Sequence, residues 1–127
     1  MGPDDPNLWS VPDGGVLRTL PNGIQILRMR KHEPIETEGM TKEEVASRTD
    51  KLSGSKFLPG TSLERIVEIT CEVLEGNNAL VGSNEGYAKI YGYPIGISRG
   101  KLVRGVRVRR SSLGRNAHAF PEDEGRL

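Results

Sequence analysis

The chain has 127 residues, of which 35% are hydrophobic and 28% are charged, a composition that suits one domain with a modest core. No apolar run approaches the roughly 18 residues of a membrane helix, and we expect no secretory signal peptide in this chain. The only cysteine is Cys71, so the composition excludes an internal disulfide and a zinc site built from cysteines.

The net charge of +1 conceals a separation of charge along the chain. Residues 33–85 carry five basic and eleven acidic side chains, whereas residues 86–121 carry eight basic and no acidic side chains. Such a basic block is typical of a protein that binds a polyanion, and RNA is the partner we expect. The alternative is a basic sheet face that the acidic helix of the same chain neutralises.

The first part of the chain is expected to be irregular and then to form a β-hairpin. Residues 1–15 are rich in Pro, Gly and Asp, which indicates an irregular lead-in that Trp9 pins to the rest of the protein. An Asn-Gly pair at 22–23 lies between two apolar runs, 16–20 and 24–30. Because both residues tolerate positive φ, the pair is a strong hairpin signal.

A short surface helix is predicted after the hairpin. Thr41 and Glu44 have the spacing of a capping box, which favours a helix from Lys42 to Leu52. Lead-in, hairpin and short helix together make up residues 1–60.

The clearest helix signal covers Ser62–Glu75. Thr61 and Glu64 have capping-box spacing, and Gly76 follows as a residue suited to end a helix. Apolar or small residues recur with a helical period on one face: Leu63, Ile66, Val67, Thr70 and Leu74. Because Cys71 lies beside this face, we expect a small core residue rather than a reactive thiol.

Beyond this helix the apolar period changes from 3.6 to 2, which predicts strands. The predicted strands are Ala79–Val81, Gly86–Tyr93, Lys101–Arg110 and Arg115–Phe120. A tight turn at Ser111–Gly114 joins the last two into an antiparallel hairpin, and Pro121 is expected to end the sheet.

These elements predict an α+β fold in a single domain of residues 1–127. An N-terminal hairpin and a short helix precede one amphipathic helix packed on a curved antiparallel β-sheet. The amphipathic helix and the basic sheet occupy residues 61–121, and residues 122–127 form a short polar tail.

Aromatic and basic residues interleave on the predicted strands. All three tyrosines are expected on one strand face with Lys89, while Arg107 and Arg109 share a face of a neighbouring strand. Aromatic rings stack on unpaired bases and guanidinium groups bind phosphates, so this combination favours single-stranded nucleic acid. The candidate nucleic-acid contacts are Tyr87, Tyr91, Arg104, Arg110 and Arg115. The alternative is that two of the tyrosines are half-buried core residues whose hydroxyls reach water.

The two histidines, His32 and His118, are candidates for proton transfer. Cleavage of RNA by its own 2′-hydroxyl needs a general base, a general acid for the leaving 5′-oxygen, and cations for the charged phosphorane. Histidine suits the proton transfers because its pKa lies near neutrality, and Arg or Lys suits the charge. His118 lies within the basic block, and His32 ends the N-terminal basic strand and can reach the same cleft. The alternative is that each histidine is structural. No metal-binding spacing or nucleotide-cofactor motif accompanies them.

Four segments between Leu63 and Pro121 carry a resemblance. ERIVEITCEVLEG is a helix ending in Gly, EGYAKIYGY an aromatic strand, KLVRGVRVRR a strand of alternating valine and arginine, and GRNAHAFP a closing strand after a turn. This succession resembles the RNase toxin domains of the barnase–EndoU–colicin–RelE superfamily, which occur at the C-termini of bacterial polymorphic and contact-dependent toxins. Residues 1–60 have no counterpart in that pattern.

The resemblance implies roles for individual residues. His118 occupies the position where the family often places a polar catalytic side chain. Arg107 and Arg109 match its inward cations on the penultimate strand, and Lys89 matches the cation one strand earlier. His32 has no counterpart in the resemblance and stays a candidate for proton transfer from its residue chemistry.

The resemblance also implies an activity and partners. They are metal-independent cleavage of RNA or tRNA without a cofactor, delivery into the cytoplasm of a competitor cell, inhibition of translation there, and an acidic immunity protein.

Two other functions are compatible with the sequence. One is a non-catalytic nucleic-acid-binding protein, in which the basic face binds phosphates and His118 is incidental. The other is a phage or virion structural protein, in which the acidic helix of one copy meets the basic sheet of another.

Overall fold

The computed structural model describes residues 6–35, 37–51, 54–75, 87–110 and 115–127. In these ranges the chain is a mixed α/β protein with two helices of more than one turn and two sheets, of five and three strands. The helical elements are α1 (Pro6–Trp9, a single turn), α2 (Lys42–Asp50) and α3 (Leu63–Glu75), with 3₁₀ turns at Arg30–His32 and Glu124–Arg126. Among these ranges, no helix combines the length and the apolar character needed to cross a membrane.

The strands are β1 (Val16–Thr19), β2 (Gln25–Leu27), β3 (Ser55–Phe57), β4 (Tyr87–Ile90), β5 (Gly96–Ser98), β6 (Lys101–Val103), β7 (Gly105–Arg110) and β8 (Asn116–Glu122). The larger sheet has the order β1-β2-β8-β7-β4, and the smaller has the order β3-β5-β6. Strands β2 and β8 pair in parallel, whereas the other described pairs are antiparallel. The larger sheet is therefore mixed, whereas an antiparallel sheet was predicted.

The predicted N-terminal hairpin is confirmed. Strands β1 and β2 pair antiparallel, and the amide of Leu20 donates to the carbonyl of Ile24 at 2.8 Å across the turn. Gly23 has a φ of +90°, a backbone conformation that few side chains tolerate. Asn22 fixes the turn because its Oδ1 accepts from the amide of Ile24 at 3.1 Å.

The short helix α2 has the capping box that the sequence predicts. The hydroxyl of Thr41 accepts from the amide of Glu44 at 3.1 Å, and the Glu44 carboxylate accepts from the amide of Thr41 at 3.5 Å. No side chain of α2 is buried, which agrees with a surface helix. The helix ends at Asp50.

The long helix α3 begins at Leu63, and its cap differs from the predicted one. The hydroxyl of Ser62 accepts from the amide of Arg65 at 2.9 Å, so Ser62 caps the helix and the capping box proposed at Thr61 is one residue too early. Its buried residues are Leu63, Ile66, Val67, Ile69, Thr70 and Val73. Cys71 is only partly buried, and burial raises the pKa of its thiol. The predicted C-terminal Gly76 lies outside the described residues.

One predicted strand is in fact two. Residues 101–110 are predicted as one strand, but β6 belongs to the smaller sheet and β7 to the larger one. The chain changes sheets at Arg104, whose carbonyl accepts from the amide of Tyr91 at 2.8 Å. Gly105 is required there, because a Cβ would lie 2.6 Å from the carbonyl oxygen of Glu122.

The closing strand continues beyond the predicted end. Strand β8 runs to Glu122, with Pro121 in register with Val106 of β7, so the expectation that Pro121 ends the sheet is wrong. The described pairing of β8 with β2 stops at Ala117, which leaves this end of β8 as an edge where a missing amide is tolerated. The predicted strand at Ala79–Val81 and the turn at Ser111–Gly114 lie outside the described residues.

The two faces of the larger sheet differ in chemistry because successive side chains of a strand point to opposite faces. One face packs against α3 through apolar residues of β7 and β8: Val106, Val108, Ala117 and Ala119. The opposite face carries two register pairs of polar and aromatic residues, Arg107 with Phe120 and Arg109 with His118. We call this second face the His118 face.

Candidate active site

Three rings form a cluster at the His118 face. The His32 and His118 ring centroids are 6.3 Å apart and nearly parallel, at 7°. The Phe120 ring lies 5.2 Å from His32 and 6.1 Å from His118. His118 and Phe120 are alternate residues of β8, and His32 ends the 3₁₀ turn that follows β2. The parallel pairing of β2 with β8 therefore brings together two histidines that are far apart in the sequence.

The hydrogen bond of His32 fixes the form of its ring. Nδ1 lies 2.9 Å from the carbonyl oxygen of Ser55 and 3.3 Å from the Ser55 hydroxyl. A carbonyl can only accept, so in the neutral ring the proton is on Nδ1 and the lone pair is on Nε2. This is the tautomer in which Nε2 can act as a general base.

The surroundings lower the pKa of both histidines. For His32 the main cause is burial, and the cations of Lys31, Lys56 and Arg109 add to it against the hydrogen bond to Ser55. For His118 burial is again first, followed by repulsion from His32, Lys31 and Arg109. Both rings are therefore mainly neutral at pH 7, and one must take up a proton to serve as an acid.

Two of the arginines predicted for the site have different positions on this face. Arg109 is exposed, and its guanidinium carbon lies 5.2 Å from the centre of the Phe120 ring. Arg107 is buried, and its Nη2 donates to the carbonyl of Arg126 at 3.0 Å. The turn Glu124–Arg126 thus contacts Arg107, whereas the side chain of Arg109 is exposed.

Two lysines that the sequence did not single out stand beside His32. Lys56 donates to the main-chain carbonyls of Lys31 at 3.0 Å and Glu33 at 3.3 Å, so it holds the turn that carries His32. Lys31 is exposed and precedes His32 in the chain. Its position next to His32 in the sequence could have identified Lys31 as a site residue. Lys56 lies on β3 and comes close to His32 only in the folded structure.

Lys89 and the tyrosines lie elsewhere. In register with Val106, Lys89 is on the α3 face of the sheet, opposite the His118 face. Strand β4 ends at Ile90, so the prediction of three tyrosines on one strand face is wrong. Tyr91 is buried and donates to Glu72 at 2.7 Å, and burial together with this carboxylate raises the pKa of its hydroxyl. Tyr91 is thus a core residue, as the alternative interpretation had it.

The other predicted nucleic-acid contacts are spread along the sheet. Arg104 makes a two-pronged ion pair with Glu124, with its shortest contact at 2.6 Å. Arg110 donates to the Tyr87 hydroxyl at 3.4 Å on the α3 face, and Arg115 is exposed just before β8. None of these three belongs to the ring cluster.

Together with Arg109, the ring cluster places three groups at the same sheet face: a proton acceptor on His32, the titratable ring of His118 and an exposed guanidinium. That combination is suited to transferring protons around an anion. Within the described ranges, no group of three or more His, Cys, Asp or Glu residues is arranged to hold a metal ion. Comparison with known proteins returned no relative, since no family model, curated protein or solved structure matches the chain.

Proposed function

We propose that this protein is a metal-independent endoribonuclease that cleaves RNA through attack of the 2′-hydroxyl on the adjacent phosphate. The observation that carries the proposal is the pair of parallel histidine rings, His32 and His118, 6.3 Å apart beside Arg109. Because the two ring planes are nearly parallel, in-plane hydrogen bonds of about 3 Å from both histidines can reach two oxygens of one phosphate group at the edge of the pair.

His32 is the general base in this proposal. Its Nε2 accepts the proton of the 2′-hydroxyl while the 2′-oxygen forms a bond to phosphorus. The proton on Nδ1 stays bonded to the Ser55 carbonyl, which keeps the ring oriented and stabilises the imidazolium that forms.

His118 is the general acid. In its protonated form it donates to the 5′-oxygen as the bond from phosphorus to that oxygen breaks, giving a 2′,3′-cyclic phosphate and a free 5′-hydroxyl. Arg109, in register with His118, stabilises the extra negative charge of the phosphorane. Lys31 contributes charge from the His32 side.

The biological setting that we propose rests on the resemblance to the RNase toxin domains. In that setting the protein acts as a toxin on tRNA or other RNA in a competitor's cytoplasm, and an acidic immunity protein neutralises it. The basic residues beside the candidate site are the surface that an acidic partner would bind.

The direct test is incubation of the purified protein with total RNA in EDTA. We expect cleavage that leaves 2′,3′-cyclic phosphate ends, and no cleavage of an oligonucleotide whose 2′-hydroxyls are methylated. Activity that disappears with chelation and returns with magnesium would contradict the mechanism. Binding of RNA without any cleavage would instead support the non-catalytic nucleic-acid-binding protein.

A further inference from the structure

A concave site lies beside the 3₁₀ turn that carries His32. A cleft of about 620 Å³ opens between the N-terminal turn, the 3₁₀ turn Arg30–His32 and the start of α3, and residues lining it include Trp9, Arg30, Ile35 and Thr61. We call it the Trp9 cleft. Its volume is within the range of small-molecule sites, about 300–1,000 Å³.

The indole of Trp9 is held in place although half of its surface is exposed. Arg28 donates from Nη1 to the main-chain carbonyls of Trp9 at 3.2 Å and Val11 at 2.7 Å, and its guanidinium carbon lies 5.6 Å from the indole centre. Arg28 is itself buried and fixed by two bonds to the Glu33 carboxylate, at 2.7 and 2.9 Å. The sequence predicted that Trp9 would pin the lead-in to the rest of the protein. Its ring is instead 50% exposed, in an orientation that Arg28 holds.

The cleft and the ring cluster share one structural element. Arg30 and His32 are the first and third residues of the same 3₁₀ turn, and the amide of Arg30 donates to Asp13 at 2.9 Å. The Arg30 side chain is exposed and cationic. Because Arg28 neutralises Glu33, the carboxylate in the cleft does not oppose an anionic ligand.

We infer that the Trp9 cleft binds an unpaired nucleobase of the RNA strand whose scissile phosphate lies at the edge of the His32 and His118 rings. The base stacks on Trp9, and Arg30 contacts a phosphate between the two sites. This inference rests on the proposed function. A nucleobase fits these observations because it has a flat π-face for the indole and carries a phosphate for the neighbouring cation.

The test uses the fluorescence of Trp9, the single tryptophan of the chain. The probe is a short single-stranded oligoribonucleotide with methylated 2′-hydroxyls, which binds without being cleaved. We expect saturable quenching of the wild-type protein and weaker binding by Arg30→Gln, whereas the control Arg48→Gln, an exposed position on α2, keeps wild-type affinity. In anisotropy measurements with a labelled probe, Trp9→Ala should bind roughly 5- to 100-fold more weakly, and Trp9→Phe should retain most of the affinity.

The outcomes separate this inference from the proposed function. Cleavage of RNA with no quenching by the probe, and with wild-type affinity and cleavage retained by Trp9→Ala and Arg30→Gln, would overturn the inference and leave the nuclease standing. Quenching and Arg30 dependence without cleavage would overturn the nuclease and keep the nucleobase site. If Trp9→Ala loses its fold by circular dichroism, the quenching of the wild-type protein and the affinity of Arg30→Gln decide.

Discussion

His118 is half-buried on β8, and its neighbours Ala117 and Ala119 point to the other face of the sheet. If this ring donates a proton in the rate-limiting step, His118→Ala should lower cleavage by roughly 10²- to 10⁴-fold. Binding of the uncleavable RNA should persist, because the phosphate contacts come from cations. Initial rates on a defined oligoribonucleotide and anisotropy on its methylated analogue measure the two effects.

Asn116→Ala is the matched control, since position 116 is on the same strand and face as His118. This variant should keep most of the cleavage. Near-wild-type rates for His118→Ala would remove His118 from the mechanism. A His118→Ala protein that fails to fold would identify a structural histidine, and His118→Asn would then show whether a smaller polar side chain restores the fold without activity.

The rings of His32 and His118 should make the free energy of unfolding depend on pH. Burial lowers the pKa of both histidines in the folded protein below the ordinary value of 6.5, so near that pH the unfolded chain binds more protons than the folded one. The free energy of unfolding should therefore rise with pH and fall as the solution is acidified below the unfolded pKa. Urea midpoints at pH 8 and pH 6, above the range of ordinary carboxylates, measure this change.

A variant that carries His32→Asn and His118→Asn provides the comparison for stability. Neither asparagine titrates, and the amide at position 32 can still donate to the Ser55 carbonyl. The urea midpoint of this variant should change less between the two pH values than that of the wild-type protein. Equal changes would show that other groups carry the pH dependence.

Residue chemistry predicted the charged and titratable side chains of the candidate site better than the residues that hold them in position. Both histidines and Arg109 follow from residue chemistry and from the basic block, and the structure brings all three together. Ser55 and Lys56 could not be predicted, because they reach His32 from a strand more than twenty positions away. The resemblance placed Lys89 with the arginines, but its register puts it on the opposite face of the sheet.

At the scale of elements, local signals were predictable and long-range pairings were not. The Asn-Gly turn and the Thr41 cap involve residues within four positions of one another, so the chemistry that fixes them is visible in the sequence. The parallel pairing of β2 with β8 joins segments from opposite ends of the chain, and no local pattern specifies it. The division between β6 and β7 was also missed, although Val103 and Val106 are three positions apart and so fall out of phase with a period of two.

The segment Asp123–Leu127 pairs with cations of the basic block, and we expect this pairing to weaken the proposed binding of RNA. Asp123 pairs with Lys101 at 3.0 Å and Glu124 pairs with Arg104 at 2.6 Å, so this segment occupies cations of the basic block. A variant with Asp123→Asn and Glu124→Gln should bind RNA more tightly and with a steeper salt dependence. Stability should change little, because exposed ion pairs contribute little to folding and Asn can still accept from the amide of Gly125.

Glu38→Gln with Glu43→Gln is the control for this segment. Both positions are exposed, and the net charge changes by the same amount. If the control raises RNA affinity as much as the variant of Asp123 and Glu124, the gain comes from total charge rather than from release of Lys101 and Arg104. The affinities are compared by anisotropy at one fixed salt concentration.

At the scale of the whole molecule, folding rearranges the charge separation seen in the sequence. Glutamates of α3 pair with Arg65 of the same helix, at 3.0 Å for Glu72 and 3.4 Å for Glu68. Two cations of the basic block instead pair with the segment at 123–124, on the other side of the larger sheet from α3. The alternative interpretation expected the acidic helix to neutralise the basic sheet. In the ion pairs named here, the glutamates of α3 instead pair within their own helix, and Lys101 and Arg104 pair with Asp123 and Glu124.

The consequence for binding is a dependence on salt. If exposed cations at the His118 face contact phosphates, the logarithm of affinity for the methylated RNA should fall by roughly 0.7 per logarithmic unit of salt for each phosphate contact. Arg109→Gln should reduce this slope by about 0.7, because one contact is lost. Arg48→Gln should leave the slope unchanged, since it removes an exposed charge from α2. Affinity that stays constant between low and physiological salt would show that the basic block does not bind the RNA backbone, and the nuclease proposal would then lack its means of holding substrate.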